Sequence, residues 1–389
     1  MPIRKLFLTL SLTCSLLNAT QAFAFESYEH SEIGREAFKS ALLKLDKAKK
    51  GLSKKLLSSV HLTNGPEAIG AVANNNTFAN FTFGDLVAIY GDYATSVEEV
   101  NNPEFAVRVN RLKSVVRGLG SNDLERDHSI ALAINNPTHF SLRAAQSYVQ
   151  WHRKALLIAG EKDRLWEALH YEALALHSFT DLYAFGHMHD DRRLTDQVVA
   201  WGEKNANRSS ATSSIANLAS KLMGAYVNFT HNAFNWKGAI LKNIEGDAWR
   251  GFGDKNYRVV DSYCKTFSKA DKLNCTDAAT ERQRQIIVHA ASLSILDVLN
   301  SSTGKRVKLG KEYRAMCHLP VTFWAANKPI PPENQKAAIA QLQSAMKKQG
   351  RPIEKHGFDF SLGYLKFDKQ EYRGNVNYID YVKQNCGII

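Results

Sequence analysis

Apolar residues recur three to four positions apart along much of the chain, which is the spacing of one face of an α-helix. Segment 30–57 shows the pattern, with apolar side chains at Ile33, Ala37, Phe38 and Leu42. The same spacing predicts further helices over residues 141–160, 163–186, 213–234 and 281–300. We therefore expect an all-α fold, with residues 25–303 forming one helical domain.

The residue pattern of the sequence changes after about residue 300. A proline-rich stretch, "NKPIPPENQ", precedes a predicted helix over 335–349, and residues 356–384 are aromatic and partly alternating. Alternation of this kind is typical of strands. Residues 304–389 are accordingly predicted to form a small C-terminal extension that could contain strands.

The first residues are typical of an export signal. Arg4 and Lys5 precede a mostly apolar run over 6–17, and "AFA" at 22–24 fits a small-residue cleavage site. The apolar run is too short to span a membrane as a helix. We expect a signal peptide over 1–24, a mature chain that begins at Phe25, and secretion through the periplasm.

Cysteine usage agrees with an exported protein. Cys14 lies in the predicted signal peptide, and the mature chain retains Cys264, Cys275, Cys317 and Cys386. An even number favours two disulfides outside the cytosol. The short spacing predicts a local Cys264–Cys275 pair, which leaves Cys317 and Cys386 to hold the extension; four free thiols are the alternative.

The chain is basic, with a formal net charge of +12 at pH 7. Two of the positive charges, those of Arg4 and Lys5, would be removed with the predicted signal peptide. A basic surface suits anionic partners such as phospholipid membranes or nucleic acid, without choosing between them.

Candidate chemistry is concentrated in residues 176–190, "LHSFTDLYAFGHMHD", where ionisable side chains interrupt an apolar segment. His177 and Asp181 are four residues apart, so a helix places them on one face. Imidazole and carboxylate together suit zinc. Gly186 is expected to end the helix, and His187 follows it. A lone His-x3-Asp pair is a weak motif, because most helical histidines are core or surface residues.

Other potential ligands lie elsewhere in the chain. They are His30, either Asp85 or Asp92 in "TFGDLVAIYGDY", His139 in "NPTHFS", and His231 with Asn235 in "THNAFN".

With these residues the sequence resembles the zinc-dependent phospholipases C and the related secreted single-strand-specific zinc nucleases. The run His177-x3-Asp181-x5-His187 has the order and spacing of that family, and His30 lies five residues after Phe25 as in the nucleases. The segments "TFGDLVAIYGDY" and "HSFTDLYAFGH" look most like the phosphatidylcholine-preferring enzymes of Gram-negative pathogens. The resemblance covers about residues 25–300 and implies their all-helical fold and a site of up to three zinc ions.

The resemblance also implies a grouping of ligands. The amine and carbonyl of Phe25 would bind one zinc with His30. A second zinc would take Asp92, His139 and His177, and Asp181 would bridge the two. A third would take His187 and His231. Asn235 stands where the family has an acid, so this zinc could be weak or use Asp190, Asp247 or Asp254. Asp92 fits the family better than Asp85.

A function follows from the same resemblance. The chain would be a secreted virulence-type hydrolase that cleaves phosphatidylcholine to diacylglycerol and phosphocholine through a zinc-activated water, with Asp92 accepting a proton. Its partner would be a phospholipid membrane, and no obligate protein partner is expected. Five aromatic residues could shape a choline pocket or belong to the core: Tyr90, Tyr93, Phe140, Tyr183 and Phe185.

Two other functions stay open. One is a secreted zinc-dependent single-strand nuclease or 3′-nucleotidase, which would need aromatic platforms for stacked bases. The other is a catalytically inactive exported effector that binds membranes.

Overall fold

The computed structural model describes residues 26–58, 81–120, 122–125, 128–129, 132, 137–189, 239–253, 277–304, 313–324, 371–372 and 376–387. All of them belong to one of the two compact units into which the chain divides. The predicted signal peptide and the predicted helices over 213–234 and 335–349 lie outside the described residues.

The described part of the chain is mostly helical, which confirms the predicted fold class. Its α-helices are α1 (Ser27–Ala48), α2 (Leu52–Ser58), α3 (Phe83–Asp92), α4 (Val97–Val100), α5 (Ala106–Val115), α6 (Ser141–Ala159), α7 (Leu165–Asp181), α8 (Phe185–His189), α9 (Asp277–Ser302) and α10 (Val376–Cys386). Short 3-10 turns cover Pro103–Phe105, Pro137–His139 and Arg314–His318. None of the helices formed by these residues is long and apolar enough to cross a membrane.

The core of the described part lies where five helices meet. Helix α7 packs against α6 and α3, and α1 packs against α3 and α9. The apolar positions that predicted the helices, including Ile33, Phe38 and Leu169, are completely buried. Burial of such side chains stabilises the fold by roughly 1.5–3 kcal/mol each.

Helices α1 and α3 approach each other closely at a glycine. A methyl group on Gly84 would lie 1.9 Å from the carbonyl oxygen of Ser31, so only glycine fits there. Helix α3 begins with a reciprocal cap, in which the Asp85 backbone N–H donates to Thr82 Oγ1 (3.1 Å) and the Thr82 N–H donates to Asp85 Oδ2 (2.9 Å). The contact brings α1, which carries His30, against the helix that ends at Asp92.

A small antiparallel sheet accompanies the helices. Its strands are β1 (Ala239–Asn243), β2 (Ala248–Gly251), β3 (Pro320–Trp324) and β4 (Glu371–Tyr372), in the order β2-β1-β3-β4. The buried Leu241 of β1 lies opposite Trp249 on one side and Phe323 on the other. Strands β3 and β4 come from residues 304–389, and β3 pairs with β1 from the preceding part of the chain.

A disulfide joins Cys317 to Cys386 with an S–S distance of 2.02 Å, as the sequence predicted. It connects the turn before β3 to the end of α10. The Tyr313 backbone N–H also donates to the carbonyl oxygen of Asn385 (2.9 Å). The predicted Cys264–Cys275 pair lies outside the described residues.

A buried polar network links α6, α7 and α9. His152 and Glu172 are both fully buried, and Nδ1 of His152 lies 2.7 Å from Glu172 Oε2. The Ser294 hydroxyl donates to Glu172 Oε1 (2.5 Å) and lies 2.8 Å from the hydroxyl of Tyr148. Burial alone would lower the pKa of His152, but the Glu172 carboxylate raises it. Glu172 and His152 therefore form a hydrogen-bonded pair that is completely buried in the core.

Candidate metal centre

Helix α7 carries the centre of the site. His177 and Asp181 are one turn apart on the same face and are each 1% exposed. The His177 Nε2 atom lies 3.6 Å from Asp181 Oδ2. The helix ends at Asp181 and not, as predicted, at Gly186, which belongs to α8, but it aligns this pair as the sequence spacing required.

Three more histidines converge on Asp181 from other elements. His30 comes from α1, His139 from the 3-10 turn before α6, and His187 from α8. Their nearest nitrogens lie 3.4, 2.7 and 3.7 Å from Asp181 oxygens, respectively. All are buried. Two potential ligand sets result, one of His30, His177 and Asp181 and one of His139, Asp181 and His187.

Asp181 belongs to both sets, and this sharing makes them one continuous cluster. The cluster is further closed by His139 Nδ1, which lies 3.2 Å from His177 Nε2. The resemblance had placed His139 and His177 on one ion, with Asp181 bridging to the ion of His30. The two potential ligand sets instead combine His177 with His30 and His139 with His187, so the grouping itself stays a prediction.

Backbone carbonyls fix the orientation of two imidazoles. Nδ1 of His177 lies 2.9 Å from the carbonyl oxygen of Val87, and Nδ1 of His187 lies 2.7 Å from that of His139. A carbonyl oxygen only accepts, so each Nδ1 carries the proton and donates it. The lone pair of each neutral ring is then on Nε2, which is the arrangement that outer contacts impose on metal-binding histidines.

A threonine side chain fixes the orientation of the His30 imidazole in the same way. The Thr180 hydroxyl donates to the carbonyl oxygens of Leu176 (2.9 Å) and His177 (3.0 Å), so its proton is already used. His30 Nδ1, at 2.8 Å, therefore donates to the Thr180 oxygen. The His30 Nε2 atom consequently faces Asp181 Oδ1.

The charges of the cluster follow from burial and proximity. Burial lowers the pKa of His177 well below its usual value, helped by the neighbouring His30, so His177 is neutral. Burial alone would raise the pKa of Asp181, but the adjacent His139, which also hydrogen-bonds to its Oδ2 atom (2.7 Å), holds it well below its usual range. Asp181 is therefore an ionised carboxylate among imidazoles.

This arrangement brings atoms with unshared electron pairs close to one another. The lone pair of neutral His177 points toward the carboxylates of Asp181 and Asp92, at 3.6 and 3.8 Å. Asp181 Oδ1 is buried, and no hydrogen-bond donor reaches it from the described residues. Burial of a carboxylate oxygen that has no hydrogen bond is costly. A cation between this oxygen, the His177 nitrogen and the Asp92 carboxylate would compensate for that cost. The His/Asp cluster can thus hold a metal ion.

The structure shows which of the two candidate aspartates, Asp85 or Asp92, lies beside the potential ligands. Asp85 caps α3, accepts from Ser31 Oγ (2.8 Å) and pairs with Arg117. Asp92 faces the cluster and accepts from Ser27 Oγ (2.8 Å). Burial raises the pKa of Asp92 to about 6. Asp92 is therefore the aspartate of α3 that lies beside the potential ligands.

Gly91 lies directly against the imidazole ring of His177. Its φ of +91° is in the left-handed region, and a methyl group there would lie 2.0 Å from His177 Cδ2. Glycine is thus required twice, for its backbone conformation and for the space that the imidazole fills.

We expect Gly91→Ala to lower metal affinity about 10–100-fold, because it displaces the His177 ring. Gly246→Ala is the matched control, since Gly246 has a φ of +90° with open space around its Cα. The control should lose about 1–2 kcal/mol of unfolding free energy from backbone strain and keep its metal affinity. Competition with a metal-indicator dye would measure the affinities, and equal affinities for the two variants would contradict this role of Gly91.

The remaining predicted residues have separate outcomes. The following lie outside the described residues: Phe25, His231, Asn235, Asp190 and Asp254. Asp247 pairs with Arg282 (2.6 Å). His170, a further histidine of α7, lies 2.7 Å from the Tyr90 hydroxyl, and burial lowers its pKa to about 4, so it is a neutral core residue. The five aromatic residues considered for a choline pocket are all buried.

Several positioning residues had no metal-binding signal in the sequence. Thr180 follows the apolar stripe of α7, which by itself indicates only a core position, although it lies between His177 and Asp181 in the chain. Ser27 had no pattern of its own. Val87 acts through its backbone carbonyl, which side-chain identity does not reveal.

Comparisons with protein-family models, with curated proteins and with solved structures found no match.

Proposed function

We propose that this protein is a secreted zinc-dependent phosphodiesterase of the phospholipase C type, which cleaves glycerophospholipids to diacylglycerol and a phosphorylated headgroup. The observation that carries the proposal is Asp181, a buried ionised carboxylate shared by two histidine-rich ligand sets. Neutral imidazoles with carboxylates suit zinc better than calcium or magnesium, which prefer oxygen ligands. A shared carboxylate is suited to hold two ions close together.

The residues would divide the chemistry among them. Bound zinc lowers the pKa of a coordinated water and stabilises charge on phosphoryl oxygens. His30, His139, His177 and His187 would hold the metal, and their outer contacts keep the imidazoles oriented. Asp92, held by Ser27 and close to His177, is placed to accept a proton from the nucleophile. Its raised pKa brings that group nearer to neutral pH.

The choice of a phospholipid rests on the sequence resemblance and on the basic chain, which suits an anionic phosphodiester at a membrane. Phosphatidylcholine is the substrate that the resemblance implies, so it is the first to assay. A single-strand nuclease would share the metal chemistry and differ in substrate.

We expect the purified mature protein to release phosphorylated headgroup from dispersed phospholipid, to lose this activity with a strong chelator, and to regain it with zinc. Bis(p-nitrophenyl) phosphate serves as a substrate without headgroup or acyl chains, and single-stranded DNA tests the nuclease. Hydrolysis of DNA without hydrolysis of lipid would replace the proposal by the nuclease. Zinc binding without hydrolysis of any substrate would favour an inactive membrane-binding protein.

A further inference from the structure

A cleft of 480 Å³ adjoins the metal centre. Its lining includes Thr138, Arg143, Gln146, Ser147, Gln150 and Trp151, most of which belong to helix α6. We call it the α6 cleft. Its volume is in the range of small-molecule sites in proteins.

The α6 cleft shares its walls with the metal centre. Gly91, which also lines it, abuts the His177 ring. Thr138 directly precedes His139, and Ser178 directly follows His177. The Ser178 hydroxyl donates to Ser147 Oγ (3.0 Å), which joins the two helices beneath the cleft. A molecule in the cleft would therefore lie along α6, next to residues that flank His139 and His177 in the chain.

The face that α6 presents to the cleft is polar. Arg143, Gln146, Ser147 and Gln150 are offset by three, four and seven residues, so they form one stripe along the helix. Gln146 and Gln150 are exposed there. Their amides both donate and accept hydrogen bonds, as do hydroxyl groups. Such a surface suits a ligand rich in hydroxyl groups better than an acyl chain.

The charged groups that line the cleft do not favour a cationic ligand. Among the described residues that line the cleft there is a guanidinium but no carboxylate. Trp151 is already stacked against Tyr171, with ring centroids 5.8 Å apart, and the Lys154 ammonium lies 5.5 Å from its ring centroid. Another cation on this aromatic would be repelled by Lys154. Among the described residues, the lining thus offers no acid, and its tryptophan already has a cation beside it, whereas an acid and an open aromatic face favour choline.

We propose that the α6 cleft is the headgroup subsite of the phospholipase proposed above, and that it selects an uncharged headgroup with neighbouring hydroxyls, such as glycerol or inositol, over choline. Gln146 and Gln150 would bind the hydroxyls, and Arg143 would contact the phosphate. The inference rests on the proposed function for the identity of the ligand as a lipid headgroup. It departs from the preference for phosphatidylcholine that the resemblance implies.

The test is calorimetric binding of glycerol 1-phosphate, inositol 1-phosphate and phosphocholine to the zinc-loaded mature protein. We expect at least one of the two hydroxylated phosphates to bind about tenfold more tightly than phosphocholine, since each hydroxyl gained or lost in a hydrogen-bonding site changes affinity by roughly that factor. Comparison of the two shows which polyol the cleft prefers.

Variants separate selection from general binding. Gln150→Leu should remove most of the advantage of the hydroxylated phosphate and change phosphocholine affinity less than about twofold. Arg143→Gln should weaken all three ligands by a similar factor, on the order of tenfold for a lost charge-assisted bond. Arg153→Gln is the control, because Arg153 is an exposed residue of the same helix that does not line the cleft. Circular dichroism would verify that each variant is folded.

The outcomes distinguish this inference from the proposed function. Equal or tighter binding of phosphocholine, or an unchanged preference in Gln150→Leu, overturns the inference. If zinc-dependent hydrolysis of bis(p-nitrophenyl) phosphate persists in that case, the phosphodiesterase stands without this selectivity. Preference for the hydroxylated phosphates without any hydrolysis would support the subsite and reject the enzyme.

Discussion

Asp181→Asn is expected to strip the protein of most of its bound metal and to lower phosphodiester hydrolysis by at least about 10³-fold, since metal catalysis contributes several kcal/mol. The reason is geometric, because Asp181 is shared by both ligand sets. Asparagine has a similar shape but no charge, and its amide nitrogen cannot bind a cation. A single substitution therefore weakens both sets while leaving packing largely intact.

The matched control is Asp163→Asn, which makes the same chemical change at an exposed position. Elemental analysis after gel filtration and hydrolysis of bis(p-nitrophenyl) phosphate should be normal for the control and lost for Asp181→Asn. Circular dichroism would show that both variants are folded. Parental metal content and turnover in Asp181→Asn would reject the assignment of Asp181 as a shared ligand.

Glu172→Ala is expected to lower the unfolding free energy by about 3–5 kcal/mol, the largest stability effect that we predict. Glu172 and His152 are both fully buried, and Glu172 also accepts from Ser294. Removal of the carboxylate breaks its hydrogen bonds with the buried imidazole and with Ser294, and it leaves a cavity. The helices α6, α7 and α9 would lose the polar contact that joins them.

Denaturant unfolding of metal-free protein would measure this change without a contribution from the metal centre. Glu161→Ala is the control, because Glu161 forms an exposed pair with Arg164, and such pairs contribute about 0–1 kcal/mol. If the two variants differ by less than about 1 kcal/mol, the buried pair does not stabilise the core as described.

The helices and the central pair could be predicted because both depend on local spacing. The apolar period of α7 defined its buried faces, and four-residue spacing placed His177 beside Asp181. The approach of His30 and His139 depends on packing between helices, including the glycine contact at Gly84. Sequence spacing alone did not specify that contact, and the family pattern was needed to propose these ligands.

Other features depended on partners distant in the sequence. Strand β1 is five residues long and pairs with β3 about eighty positions later, so local alternation gave little indication of the sheet. Carbonyl groups that orient His177 and His187 have no side-chain signature. The stripe of α6 from Arg143 to Gln150 carries no signal in the sequence that distinguishes it from an ordinary solvent-facing surface.

Anomalous X-ray diffraction at the zinc absorption edge, from crystals of zinc-loaded mature protein, tests the central claim most directly. We predict strong anomalous peaks within the cluster, with at least one about 2.0–2.2 Å from an Asp181 carboxylate oxygen and from the Nε2 atom of His177 or His187. The same peaks should be absent from crystals of Asp181→Asn. Zinc-loaded crystals with no anomalous peak beside Asp181, and with these side chains arranged as in the metal-free protein, would contradict the assignment of this cluster as a metal centre.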